Sequence, residues 1–424
     1  MTDKDKHIPQ GYKDSPLGII PKEWEVKRLG DLGSFKNGLN FSPNDTGISY
    51  YFLGVGDFLN RNVIDVRNLG HIYLKEKLDD SYLIKNQDLV FVRSNGSKSL
   101  VGRSVLIKSN QKEATYSGFC IRFRSDNKCA TTQYIQHLIN VGYLKRFLVY
   151  EGRGTNITNL NQDILGRLSF PIPPIAEQDR LLHILSIWDT AIEKQSELIE
   201  KLRLRKRALM QQLLTGKKRL LGFSGEWKRI KLGDIAERIT RKNEEDNKNV
   251  VTISAQRGFV VQTDFFNKSV ASETLDNYFL VYRDEFCYNK SYSNGYPMGA
   301  IKRLKSFDKA VVTTLYICFQ LKNKVSANID FFEQYCESGI FNKELVKVAN
   351  EGGRAHGLLN VTPADFFNIH MRIPNINEQN AIATVLVNAD KEIELVNEKL
   401  ASLQSQKRGL MQQLLTGKKR IIHK

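Results

Sequence analysis

Two stretches carry side chains of the kind that read base edges. Arg93, Ser94, Asn95, Lys98 and Arg103 fall in or next to DLVFVRSNGSKSLVG, residues 88–102. Lys290, Ser291, Tyr292, Asn294, Tyr296 and Arg303 fall in or next to DEFCYNKSYSNGYPMG, residues 284–299. Arginine and asparagine can bond guanine and adenine in a bidentate way, while lysine and serine hold phosphates and set register. A second pair of glycine-rich basic loops adds Arg153, Thr155 and Asn156 in EGRGTNITNLNQD, and Arg354 and His356 in EGGRAHGLLNVTPAD. Gly, Ser and Asn are also what an ordinary turn needs, so composition alone does not separate a reading loop from a plain one. The loops differ between the two halves of the chain, as expected if each reads a different sequence.

Covalent chemistry is not expected. There is no G-x-x-x-x-G-K-[ST] phosphate loop, no Asn/Asp-Pro-Pro-aromatic segment of the kind used on a flipped base, and no glycine-rich strand-to-helix turn for a dinucleotide or S-adenosylmethionine. The seven histidines are scattered without metal-ligand spacing, and the five cysteines form no C-x-x-C. Asp88 and Asp284 look like corresponding turn residues rather than nuclease carboxylates. The expectation is a chain without catalytic residues, metal or cofactor of its own.

What must position the loops is a repeated helix. KRALMQQLLTGKKRL at 206–220 returns as KRGLMQQLLTGKKRI at 407–421, a constant offset of 201 with two positions changed. Running back from within the first copy, apolar residues keep heptad spacing through Leu181, Leu185, Trp188, Ile192, Ile199, Leu202, Leu209 and Leu213, interrupted by Gln195 and Lys206. Running back from within the second they follow Ile382, Leu386, Ala389, Ile393, Val396, Leu400, Leu403, Leu410 and Leu414, interrupted by Lys407. Such a seam predicts two paired, supercoiled helices of about 38 residues, each about 57 Å long. Both open on a Pro-to-Glu-Gln segment. Both stop at Thr-Gly-Lys-Lys-Arg, where the glycine suits a helix cap with cations behind it and Thr-Gly-Lys-Lys is read as that cap followed by solvated charge. The start WEVKRLGDL at Trp24 is restated as WKRIKLGDI at Trp227. The fold class is therefore α/β (α+β) with an internal pseudo-two-fold: globular domain 1–174, helix 175–220, globular domain 221–374 and helix 375–424.

Lys plus Arg exceeds Asp plus Glu by 17, which favours a polyanionic partner, nucleic acid before membrane. No apolar run reaches membrane-span length and the start lacks a signal-peptide core, so a cytoplasmic protein is expected.

GYKDSPLGIIPKEWEV, the two helix openings and the twin KR-x-LMQQLLTGKKR ends resemble the specificity subunits of type I restriction-modification systems, over nearly the whole length. The resemblance implies target-recognition domains alternating with helices that pair as an antiparallel coiled coil, each domain reading half of a split double-stranded DNA site. It also implies two modification (methyltransferase) subunits using S-adenosylmethionine and restriction subunits using ATP and Mg. The other reading weighed is a basic coiled-coil adaptor for RNA or acidic proteins.

Overall fold

The computed structural model describes residues 8–41, 45–59, 62–94, 100–109, 112–126, 128–143, 146–147, 159–262, 275–322, 327–351 and 359–421. The chain forms two compact units, residues 1–194 with 400–424, and residues 195–399. Each holds one globular body, the first part of the helix that leaves it and the last part of the other helix.

In the first unit the strands are β1 (Glu25–Arg28), β2 (Gly33–Asn37), β3 (Val63–Asp65), β4 (Leu89–Val92), β5 (Ser104–Lys108) and β6 (Cys120–Ser125). They are followed by α1 (Thr132–Asn140), α2 (Gln162–Arg167), β7 (Ser169–Ile172) and the long α3 (Ile175–Leu213). A five-stranded sheet runs β2-β6-β4-β5-β3, antiparallel except where β3 joins β5. Its central strand reads Leu-Val-Phe-Val and is buried on both faces, hence a continuous apolar run rather than an alternation. A second, three-stranded sheet places Ile48–Leu53 between Ala114–Tyr116 and Gly70–Leu74.

The second unit repeats this plan. It contains β8 (Lys228–Lys231), β9 (Ala236–Ile239), β10 (Phe286–Asn289), β11 (Ala300–Arg303), β12 (Ile317–Leu321), α4 (Ile329–Glu337), α5 (Asn342–Val348), α6 (Pro363–Phe367), β13 (His370–Ile373) and the long α7 (Ile376–Leu414). Its sheet order, β9-β12-β10-β11, matches β2-β6-β4-β5 strand for strand. In each unit the opening strand pairs antiparallel with the strand that enters the helix, β1 with β7 and β8 with β13.

The long helices are core elements of the units. Leu181 and Leu185 of α3 join Met411, Leu414 and Leu415 in one apolar cluster with Trp24, Phe91, Phe123 and Phe170. Ile382 and Leu386 of α7 join Met210, Leu213 and Leu214 with Tyr288, Phe319 and Phe366. At about 1.5–3 kcal/mol per fully buried large side chain, these contacts tie each body to both helices.

Polar contacts give the direction. In the first unit Arg420 reaches Glu177 and Lys407 reaches Asp189; in the second Arg219 reaches Glu378 and Lys206 reaches Asp390. Moving up twelve positions on one helix moves down thirteen on the other in both units, so the paired segments are antiparallel. The polar breaks in the heptad pattern are these contacts: Lys206 Nζ lies 2.5 and 2.7 Å from the Asp390 oxygens, Lys407 pairs with Asp189, and Gln195 donates to the Val396 carbonyl at 3.1 Å. A charged seam position with a partner at one height only suits the fixing of register.

The ends are built from the same motifs. Gly216 and Gly417 have φ of +70° and +72°, the left-handed cap conformation expected of glycine there. The lysines behind the cap, Lys217 and Lys218, are exposed, but Arg219 and Arg420, the last residues of Thr-Gly-Lys-Lys-Arg, are paired. Arg219 grips Glu378 through Nε and Nη2 at 2.5 and 2.6 Å, and Arg420 Nη2 lies 3.0 Å from Glu177. The neighbouring glutamines brace the short helices. Gln178 accepts from the backbone N–H of Thr131, which caps α1, and Gln379 accepts from that of Asn328, which caps α4.

Candidate nucleic-acid interface

The buried strands β4 and β10 end in the two first loops, so their last residues fix where those loops begin. In the first unit the carbonyl of Arg93 accepts from Leu160 N–H at 2.8 Å, Ser94 bridges to Asn159, and Arg93 Nε donates to Asn159 Oδ1 at 3.3 Å. In the second, the carbonyl of Lys290 accepts from Leu359 N–H at 3.1 Å. Arg93 and Lys290 each follow directly on the central strand, and each is tied to the residue at which the chain leaves the second glycine-rich loop. The two loops that looked separate in sequence therefore share one root in each body.

Around those roots the side chains differ. Arg93 contacts no carboxylate among the described residues, and the ring of Phe119, whose carbonyl accepts from Arg93 N–H at 2.8 Å, is exposed. Phe119 carried no signal in the sequence, because a lone exposed aromatic in a turn looks like any other. Lys290 is half-buried, and that burial pulls its ammonium below the ordinary lysine value. Ser291 N–H is held by Asn289 Oδ1 at 3.0 Å, Tyr292 is exposed, and Asn294 is exposed with its carbonyl taken by Gln256. Arg103 is half-buried at the start of β5. Asn95, Lys98, Arg153, Thr155, Asn156, Arg354 and His356 lie outside the described residues.

Two candidates are committed elsewhere. Arg303 lies within β11 with its side chain 12% exposed, bonded to Asp284 and Asp330 and within 3.4 Å of Glu333. Three carboxylates saturate its fork, and presenting it to a base would leave Asp284 and Asp330 unpaired. Tyr296 donates its hydroxyl to Glu337 at 2.8 Å and accepts from Lys302 at 3.1 Å, which pins the loop to α4 instead of offering the ring outward. Neither stands beside Arg93 or Lys290 as a reading group.

The aspartates also need re-registering. Strand register matches Asp88 with Glu285, and Gln87 with Asp284, the latter two sharing φ near +70°. Asp88 is buried and gripped by Arg124 at 2.7 and 2.8 Å, so it holds structure; Asp284 is the turn residue. Sequence alone shifted the match by one, because both loops begin with Asp.

Residues 21–203 match the family model described as the type I restriction modification DNA specificity domain. The chain is 22% identical over 448 residues to the type I restriction enzyme MjaVIII specificity subunit of Methanocaldococcus jannaschii, covering 98% of each. It is 31% identical over 181 residues to the StySPI specificity subunit of Salmonella potsdam, covering 41% of this chain and 38% of that one. A solved chain reported under complex assembly and conformational transition of the type I R-M system superposes with TM-score 0.58 at 14% identity, over 94% of this chain and 99% of that one.

Proposed function

This chain belongs to the specificity subunits of type I restriction-modification systems, the DNA sequence-recognition subunits, and from that premise we propose how it reads. Each globular body reads one half of a bipartite duplex site through its two co-rooted loops. In the first body Arg93 and Ser94 stand at the root, and Asn95, Lys98, Arg103, Arg153, Thr155 and Asn156, which belong to or adjoin the same loop sequences, are assigned to DNA contact with them. In the second, Lys290, Ser291, Tyr292 and Asn294 play this part, with Arg354 and His356. The observation that supports this most is the pairing of root carbonyls, Arg93 to Leu160 and Lys290 to Leu359, at matching positions of a repeated sheet. A cation without a carboxylate at the end of a rigid strand suits a phosphate or a guanine edge.

Catalysis belongs to partners in this reading. Two modification subunits, matching the internal repeat, methylate adenine with S-adenosylmethionine, and restriction subunits using ATP and Mg complete the complex in the cytoplasm. Among the described residues no helix is long and apolar enough to cross a membrane. Family membership favours duplex DNA over the adaptor reading.

The test is methylome sequencing of a host carrying the complex with Arg93→Ala or Lys290→Ala. Each change relaxes or weakens one half-site, by about 1–3 kcal/mol where a base contact is lost, and leaves the other half-site's bases intact. Equal loss of discrimination in both halves overturns the assignment.

A further inference from the structure

The ribbon formed by β8 and β13 sets Arg229 directly opposite Arg372. Like charges facing each other across an antiparallel pair repel, and both side chains are exposed without a carboxylate partner among the described residues. The two arginines line a cleft of about 350 Å³ with Lys343 of α5; Trp227 and Ile340 form its apolar side, over the buried Tyr335 and Met371. Glu344 also faces it, but its carboxylate is held by Lys347 at 2.6 Å. The indole N–H of Trp227 is buried and has no acceptor among the described residues. A volume of this size lies at the lower end of small-ligand sites, about 300 to 1,000 Å³.

Among the described residues the first unit does not repeat this arrangement. There the same register sets Val26 opposite Pro171, and Val26 packs on the core together with Tyr143 and Phe147. The cleft chemistry is thus a property of the second unit, outside the internal symmetry.

We propose that this cleft captures an acidic, apolar-anchored peptide segment of a protein partner. A carboxylate of the segment lies between Arg229 and Arg372, and an apolar side chain packs against Trp227 and Ile340. A duplex backbone offers phosphates but nothing apolar to fill a concave site, so the mixed lining favours a peptide over DNA. Because the first unit carries an apolar pair in place of the arginines, the segment binds once per chain, unlike a partner that follows the repeat and binds twice. The inference rests on the second unit's geometry and not on the DNA-reading loops.

The probe is a phage-displayed random heptapeptide library panned on the full chain, followed by anisotropy titration of the enriched peptides. Enriched sequences combine Asp or Glu with Leu, Phe or Trp. They bind at least about tenfold more weakly to the Arg229→Ala/Arg372→Ala double variant, the loss expected for charged hydrogen bonds. Arg229→Lys/Arg372→Lys restores part of the affinity, since lysine supplies the charge without the fork. Lys343→Ala, outside the ribbon, weakens binding by a smaller factor and serves if the double variant fails to fold. No enrichment, enrichment without acidic residues, or equal affinity for all variants overturns the proposal. Displacement of the peptides by random duplex DNA also overturns it, marking the cleft as a backbone contact. Native mass spectra showing two peptides per chain overturn the single-copy part. Failure of the DNA reading shows separately, in the methylome.

Discussion

The joints at which the two bodies meet their helices use equivalent parts but brace them differently. In the second unit Asp390 holds Lys206 and also accepts from Gln334 Nε2 at 2.7 Å. In the first unit Asp189 holds Lys407, and the helix position matching Gln334 is His137, whose Nδ1 is buried without a partner among the described residues. Burial first, and the Lys407 ammonium second, bring the His137 pKa down to about 4. The anchoring tryptophans differ too. Trp24 gives its indole N–H to Glu177 at 3.1 Å, whereas the N–H of Trp227 finds no acceptor among the described residues. A repeated sequence therefore does not produce repeated energetics. The ion pairs are shared, and the groups that surround them decide how each joint responds to pH and substitution.

The largest test removes the buried carboxylates. Glu378→Ala leaves Arg219 without a carboxylate among the described residues, at a cost of about 3 kcal/mol to the second unit, whereas after Glu177→Ala Arg420 keeps the exposed Glu23 at 2.7 Å and this pair costs the first unit less. Glu177 also serves Trp24, so its loss breaks that hydrogen bond as well. Hydrogen exchange resolved by unit checks this; equal loss of protection in both units after one substitution breaks the comparison.

Acid comes next. His137 is neutral in the folded state down to about pH 4, while the unfolded chain takes up its proton near pH 6.5. Between those values the unfolded state binds more protons, so the first unit's stability rises with pH and is lost as pH falls below about 6.5. From pH 7 to 5 the loss attributable to this group is about 2 kcal/mol. His137→Gln, which installs the second unit's residue, removes that slope in denaturant titrations of the first unit; a slope unchanged in the variant assigns the acid sensitivity to other groups.

The cap glycines sharpen the contrast further. Both have positive φ, so alanine strains either by about 1 kcal/mol. A methyl on Gly417 would also lie 2.5 Å from Pro21 Cδ, while on Gly216 it meets the Trp227 ring at an ordinary 3.4 Å. Gly417→Ala therefore lowers the thermal midpoint more than Gly216→Ala. The indoles separate as well. Both Trp24→Phe and Trp227→Phe lose packing, but Trp24→Phe also loses a hydrogen bond to a charged group, about 1.5 kcal/mol, and Trp227→Phe loses none seen among the described residues, so its midpoint falls less.

Much of this molecule was readable from its residues. The offset of 201 announced two copies of one plan, and the seam spacing and the glycines of Thr-Gly-Lys-Lys-Arg marked the helices and their ends, because apolar periodicity and left-handed caps are local properties. The strand-to-loop segments at Arg93 and Lys290 were also found, since a continuous apolar run ending in Ser, Asn and Gly marks its own boundary. What only the tertiary structure decided is where long side chains spend their charge. Arg303 looked free and is held by three carboxylates; Arg219 and Arg420 looked like further cations behind a cap and are locked to buried glutamates; Lys206 and Lys407 looked like flaws in a seam and are its pairing contacts. Partners such as Glu177 and Arg420 lie 243 positions apart, and no local spacing records which carboxylate a flexible cation will meet. That choice is made by the packing of helix against body, which brings together charges the sequence keeps far apart.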